Sequence, residues 1–151
     1  MSLAKPNAHQ TVFLVIFFAA FGIATEVFFT AFTDFYNNTP LCGKTRWALA
    51  GHSYIWMVLI YGLIPLFGNV VVRAMHKYNI AIRLLLYVSI IYAVEFTSGY
   101  ALQLLTGKCP WQYTSGWHIM GLIRLDYAPA WLFFAFLLET IYLYVLRQIA
   151  K

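Results

Sequence analysis

Three glutamates sit where a full charge is least comfortable. Glu26, Glu95 and Glu139 are each the sole full charge in an apolar stretch of bilayer-spanning length, and together they account for three of the five acids in the 151-residue chain. An ionised carboxylate in hydrocarbon costs at least a few kcal/mol, so such a group faces protein, water or a ligand rather than lipid. At about 1.5 Å of rise per residue, Glu95 and Glu139 fall within a turn of their helix centres. Glu26 falls about one turn outward of its own, so the three are expected to share a layer near the midplane. The sequence offers no lysine, arginine or histidine at that depth. Charge compensation would then come from a proton, a cation or an amine, the chemistry of a proton-coupled or cation-binding site. The structural alternative is a glutamate bonded to Tyr92, Tyr142 or Thr30 and serving as a helix tie.

The elements that must carry these residues follow from hydropathy. The chain is 62% hydrophobic and 10% charged, against roughly 25% charged in soluble domains. Four apolar runs, about residues 11–33, 53–72, 81–105 and 127–149, each approach the ~20 residues a spanning helix needs. The expected fold is all-α, a single polytopic four-helix bundle in the membrane. The first run is too long for a signal-peptide core and lacks a small-residue cleavage site, so it is read as a retained helix. Loop cations number six (Lys5, Arg73, Lys77, Arg83, Arg147, Lys151) on the side of both termini and four (Lys44, Arg46, Lys108, Arg124) on the other. This favours cytoplasmic termini in a multi-pass protein. The net charge of +5 resides in these flanking residues and suits anionic headgroups, not nucleic acid.

Helical spacing draws one small-and-polar stripe on each run. These are Gly22-Glu26-Thr30, then Gly62-Pro65-Asn69-Arg73, then Tyr92-Glu95-Gly99-Gln103, and finally Ala135-Glu139-Tyr142. All four are expected to face inward, which makes Glu26, Glu95, Glu139, Asn69, Tyr92 and Tyr142 the candidate substrate- or ion-binding residues. A weak repeat, Ala24-Thr25-Glu26-Val27-Phe28 against Ala93-Val94-Glu95-Phe96, suggests two helix pairs in the same orientation.

The outer half carries all five tryptophans and both cysteines. Trp56, Trp111 and Trp131, with Asp126, are candidates for an outer vestibule. The plainer reading of the tryptophans is an interfacial belt. Cys42 and Cys109, one in each outer loop, suit a disulfide if that side is oxidising. Asn37-Asn38-Thr39 is a sequon followed by Pro40. No His/Cys spacing matches a metal motif, and neither a metal nor a cofactor is assigned. Cys42-Gly43-Lys44-Thr45 is no phosphate loop, because Asn38 stands where its first glycine belongs. In the last outer loop, Gly107–His118 is turn-rich, and Ile119–Leu125 is an apolar segment too short to span. It is expected to lie in the interface or dip into the bundle.

The stretch Cys109-Pro110-Trp111-Gln112-Tyr113 and the later Gly121–Trp131, with Leu125-Asp126-Tyr127-Ala128-Pro129-Ala130-Trp131 at its end, carry a resemblance. So do Glu95 and the segment Ser53-x-x-Trp56 to Tyr61-Gly62. The chain resembles the ABC-transporter type IV (CmpB-like) membrane proteins, which include the transmembrane protein 229 group, over nearly its whole length. The resemblance implies a small helical membrane protein with a transport role that would draw on a separate ATPase. No catalytic residue is implied. The expected function is a small transporter, or a membrane subunit of one. The alternatives are a lipid-modifying enzyme using the glutamates with His52 or His118, and a structural or assembly subunit. The histidines sit a helix end away from the glutamates, which weighs against the enzyme. The expected partners are the lipid bilayer and either further copies of the chain or a separate transport subunit.

Overall fold

The computed structural model of the chain describes residues 6–36 and 49–149. Cys42, Trp47, Lys44, Arg46 and the sequon lie outside the described residues, as do Lys5 and Lys151. The helices are α1 (Ala8–Tyr36), α2 (Ile55–Gly62), α3 (Ile64–Met75), α4 (Ile80–Thr106) and α5 (Ala128–Ile149). Between α4 and α5 lie two short strands, β1 (His118–Ile119) and β2 (Ile123–Arg124), and a single 3-10 turn, Leu125–Tyr127. Among the described residues, three segments are long and apolar enough to cross a membrane: Ala8–Tyr36, Ile80–Thr106 and Leu125–Ile149. They become four if α2 and α3 form one span.

Local chemistry explains the helix ends. At the start of α1, Asn7 Oδ1 accepts from the Gln10 amide and Gln10 Oε1 accepts from the Asn7 amide, each at 2.9 Å. This is a reciprocal capping box. Asn79 caps α4 through its side chain, which accepts from the Ile82 amide at 3.0 Å. Gly107 closes α4 at φ +79°, where a left-handed residue lets its amide reach the Gln103 carbonyl.

The run expected over residues 53–72 is broken. α2 and α3 meet at Leu63 with a 40° bend. Pro65 has no amide to donate to the Tyr61 carbonyl, and its ring crowds that carbonyl. Gly62 and Asn69 therefore belong to different helices, and the predicted stripe Gly62-Pro65-Asn69-Arg73 is not one line.

The chain divides into two compact units, residues 1–70 with 149–151, and residues 71–148. In the first, α1 packs on α2. Gly22 lies against the Tyr61 ring and Gly62 against Val15, where an added Cβ would meet the neighbouring side chain. Close approach at such small residues is how helices gain van der Waals contact where the hydrophobic effect is weak. In the second unit, the buried face of α5 is Phe134, Ala135, Tyr142 and Leu146.

The loop between α4 and α5 departs most from expectation. The apolar segment 119–125 takes part in a β-hairpin with register His118↔Arg124 and Ile119↔Ile123, an element the hydropathy pattern does not signal. Met120 and Gly121 both have positive φ, 54° and 71°, and the Leu122 amide donates to the Ile119 carbonyl at 2.9 Å. That is the turn whose twist suits a tight hairpin.

Candidate functional site

Each intramembrane glutamate is held by side chains of its own unit. In the first unit, Glu26 Oε2 accepts from the Ser53 hydroxyl at 2.8 Å and the Tyr61 hydroxyl at 3.2 Å. One turn along α1, the Thr30 hydroxyl donates to the His52 carbonyl and accepts from the His52 amide, both at 2.9 Å. The α1 stripe Gly22-Glu26-Thr30 thus faces α2 and the segment that leads into it.

In the second unit, α4 repeats the device. Glu95 Oε1 accepts from the Tyr113 hydroxyl at 2.7 Å. The Tyr92 hydroxyl lies 3.2 Å from the carbonyls of both Arg124 and Leu125, the donor of a shared bond. A Cβ at Gly99 would meet Cys109 Sγ, Trp111 Cζ2 and Leu122 Cδ2 at 3.2–3.3 Å. The stripe Tyr92-Glu95-Gly99 is therefore a docking strip for the loop that follows α4. The loop's own core is Cys109, Trp111, Leu122 and Ile123, all 7% exposed or less. The Trp111 indole donates to the Leu122 carbonyl at 3.2 Å and ties the loop's first half to its hairpin. Cys109 is buried as a free thiol. Burial pushes that thiol above its ordinary pKa. Its expected partner, Cys42, is among the residues not described.

Glu139 has a cation of its own. Arg83 Nη2 donates to Glu139 Oε2 at 3.1 Å, and Arg83 Nε lies 3.0 Å from Oε1, close enough for charge attraction but off line for a hydrogen bond. The Tyr87 hydroxyl donates to Oε1 at 2.9 Å. This corrects two expectations. Glu139 is not in a cation-free environment, and it does not share a layer with Glu95. Its partners stand twelve and eight positions before Glu95 on α4, roughly 12–18 Å along the axis. The reason is an axial offset. The Leu125 carbonyl, at the head of the last apolar run, lies against Tyr92 in the middle of α4, because the loop folds back along α4 before the next helix begins.

The hairpin end carries a second ionic group. Arg124 Nε lies 3.0 Å from both Asp126 carboxylate oxygens, and Nη2 donates to Oδ2 at 2.8 Å. Its Nη1 donates to the Tyr127 hydroxyl at 2.9 Å, and its Cζ lies 4.2 Å from that ring's centroid. Asp126 raises the already high Arg124 pKa, so the guanidinium keeps its charge. Gly116 suits this place because its φ of +75° is one that side-chain-bearing residues rarely adopt, and it lies against the Arg124 guanidinium.

Of the other candidates, Tyr142 is 2% exposed on α5. Asn69, on α3, has its Oδ1 buried without a hydrogen-bond partner. Trp131 stacks edge-on against Phe134 with 5.9 Å between centroids. Trp56 is 40% exposed on α2, whereas Trp111 is buried. Sequence reasoning passed over Ser53, Tyr61, Tyr87, Arg83 and Tyr113. Arg83 was counted as a flanking charge, although its long side chain can reach a carboxylate more than a turn away. The described residues contain no cluster of three or more His, Cys, Asp or Glu arranged for a metal. No protein-family model matches the chain, and no solved structure matches it.

Proposed function

We propose that the chain is a membrane subunit of a transporter, in which the intramembrane carboxylates lock the helices and the α4–α5 loop rather than carry the transported species. One observation supports this most. All three glutamates accept hydrogen bonds from hydroxyls of their own unit, and Glu139 is neutralised by Arg83. A carrier site has to give its carboxylates to substrate at some stage. Here they are spent on Tyr61, Tyr113 and Tyr87, the sealing by tyrosine expected of a tie. The transport role itself is taken from the family resemblance and from the membrane-length helices. The ATPase, or other motor, would be a separate polypeptide. In this reading the helices pack as a four-helix bundle, with α2 and α3 as one bent span.

Reconstitution tests the division of labour. The purified chain in liposomes, under an imposed potassium diffusion potential and with a pH-sensitive dye inside, is expected to pass no more protons than empty liposomes. Glu95→Gln and Glu139→Gln are expected to lower thermal stability and leave that baseline unchanged. A proton flux in the parent chain that disappears in folded Gln variants would overturn the reading in favour of a carrier.

A further inference from the structure

His118 fastens the turn of the hairpin. Its Nδ1 accepts from the Gly121 amide at 3.2 Å. A backbone amide can only donate, so this ring nitrogen is unprotonated and the neutral ring carries its proton on Nε2. The turn has need of the bond. Met120 stands at φ +54°, a left-handed conformation that side-chain-bearing residues rarely adopt. Gly121 is also joined to the first half of the loop, because its carbonyl accepts from the Tyr113 amide at 2.9 Å. Tyr113 in turn donates its hydroxyl to Glu95. A line of contacts therefore runs from the imidazole, through Gly121 and Tyr113, to the carboxylate on α4. His118 is exposed, so water can deliver a proton to it.

We infer that His118 is a pH-sensitive latch of the hairpin: protonation of its imidazole releases Gly121 and slackens the hold of Tyr113 on Glu95. A protonated imidazole donates from both nitrogens. Nδ1–H would then face the Gly121 N–H, and a bond is replaced by two opposed donors. The surrounding groups give the imidazolium no compensating partner. Arg124 is its register partner on β2, a like charge. Asp126, in the 3-10 turn, is already shared between Arg124 and the Trp117 amide. Tyr127 beside it accepts from Arg124. From α4, the titratable groups that reach the loop are Glu95, held by Tyr113, and Tyr92, bonded to the Arg124 and Leu125 carbonyls. The latch is closed where the imidazole is neutral and opens as the pH falls through the imidazole range. Leu122 and Ile123 stay buried in the loop core, so acid slackens the turn without unfolding the loop. The consequence for α4 rests on the reading of Glu95 as a tie.

Amide exchange tests it. In the parent chain in detergent micelles, protection of the Gly121 and Tyr113 amides, corrected for the intrinsic pH dependence of exchange, is expected to fall about two- to tenfold between about pH 8 and about pH 5, the contribution of one hydrogen bond. His118→Asn places an acceptor that does not titrate near the position of Nδ1, and should keep protection level across that range. His118→Ala should show the lower protection at both pH values, and it decides the matter with the parent profile if His118→Asn misfolds. Unchanged protection in the parent would overturn the inference. So would a fall that persists in His118→Asn or His118→Ala, because another group would then be titrating. A fall at Gly121 with none at Tyr113 would refute the connection to Glu95. Tyr113→Phe at about pH 8 separates the latch from the tie itself. Thermal stability untouched by loss of that hydroxyl would sink the tie, while Gly121 protection in the same variant still reports the latch.

Discussion

At the scale of single residues, the Arg83–Glu139 pair is more buried than the Arg124–Asp126 pair of the same unit. Glu139 is 9% exposed at its side chain and Arg83 22%. Removing one partner of a buried pair leaves an uncompensated charge, which is costlier than replacing both with apolar groups. Glu139→Leu alone is expected to destabilise by about 2–3 kcal/mol, below the fully buried range because Arg83 reaches some solvent. Arg83→Met with Glu139→Leu is expected to recover to within about 1 kcal/mol of the parent. Thermal unfolding in detergent micelles reads both, and a double variant as weak as the sum of the singles would contradict the pairing. Neither residue announced this role in the sequence. The glutamate stood out as a lone acid in an apolar run, but the arginine looked like an ordinary membrane-flanking charge.

At the scale of elements, the α4 stripe Tyr92-Glu95-Gly99 and the loop at residues 107–127 form one packed unit. Gly99 is the point of close approach on α4, with Cys109, Trp111 and Leu122 all converging on the position a side chain would take. Gly99→Val is expected to cost about 1–3 kcal/mol by overpacking and to loosen the loop. Cys109 reports this directly. In the folded parent, burial both hides the thiol and raises its pKa, so less thiolate is present at any pH below that value. Maleimide labelling of Cys109 should therefore be about tenfold or more slower in folded than in unfolded protein. In Gly99→Val the rate should rise toward the unfolded value as the thiol regains water and its ordinary pKa. An unchanged rate would mean the loop is not held through Gly99. The stripe itself was legible, because a helix places positions three and four apart on one face. What it packs against was not, because the same periodicity serves a neighbouring helix and a returning loop equally well.

At the scale of the whole molecule, the number of crossings sets which sides the termini and the hairpin occupy. If α2 and α3 make one bent span, the chain crosses four times, and the N-terminus and the α4–α5 loop lie on opposite sides. Cysteines placed at Ser2 and Ser115, with Cys42→Ser, should then label from opposite faces of intact membranes. Labelling from one face would reduce the bent pair to a re-entrant element. The spans at residues 11–33, 81–105 and 127–149 were set by composition alone, each within about three residues of the observed helices. Burying a polar backbone in lipid leaves little choice but a helix wherever some twenty apolar residues run together. The stripes that carry Glu26 and Glu95 were likewise fixed by local geometry. Tertiary structure decided the rest. The break at Leu63 is the exception, a local effect of Pro65 that hydropathy alone passes over. The hairpin depends on a turn at Met120-Gly121 that closes only because Leu122 and Ile123 bury against the loop core. The separation of Glu95 from Glu139 depends on the loop folding back along α4, which shifts α5 relative to its neighbour. Hydropathy and periodicity describe a segment's depth and face one helix at a time. Partners 56 residues apart, such as Arg83 and Glu139, are set by the axial offset between helices, a quantity that exists only once the chain has packed.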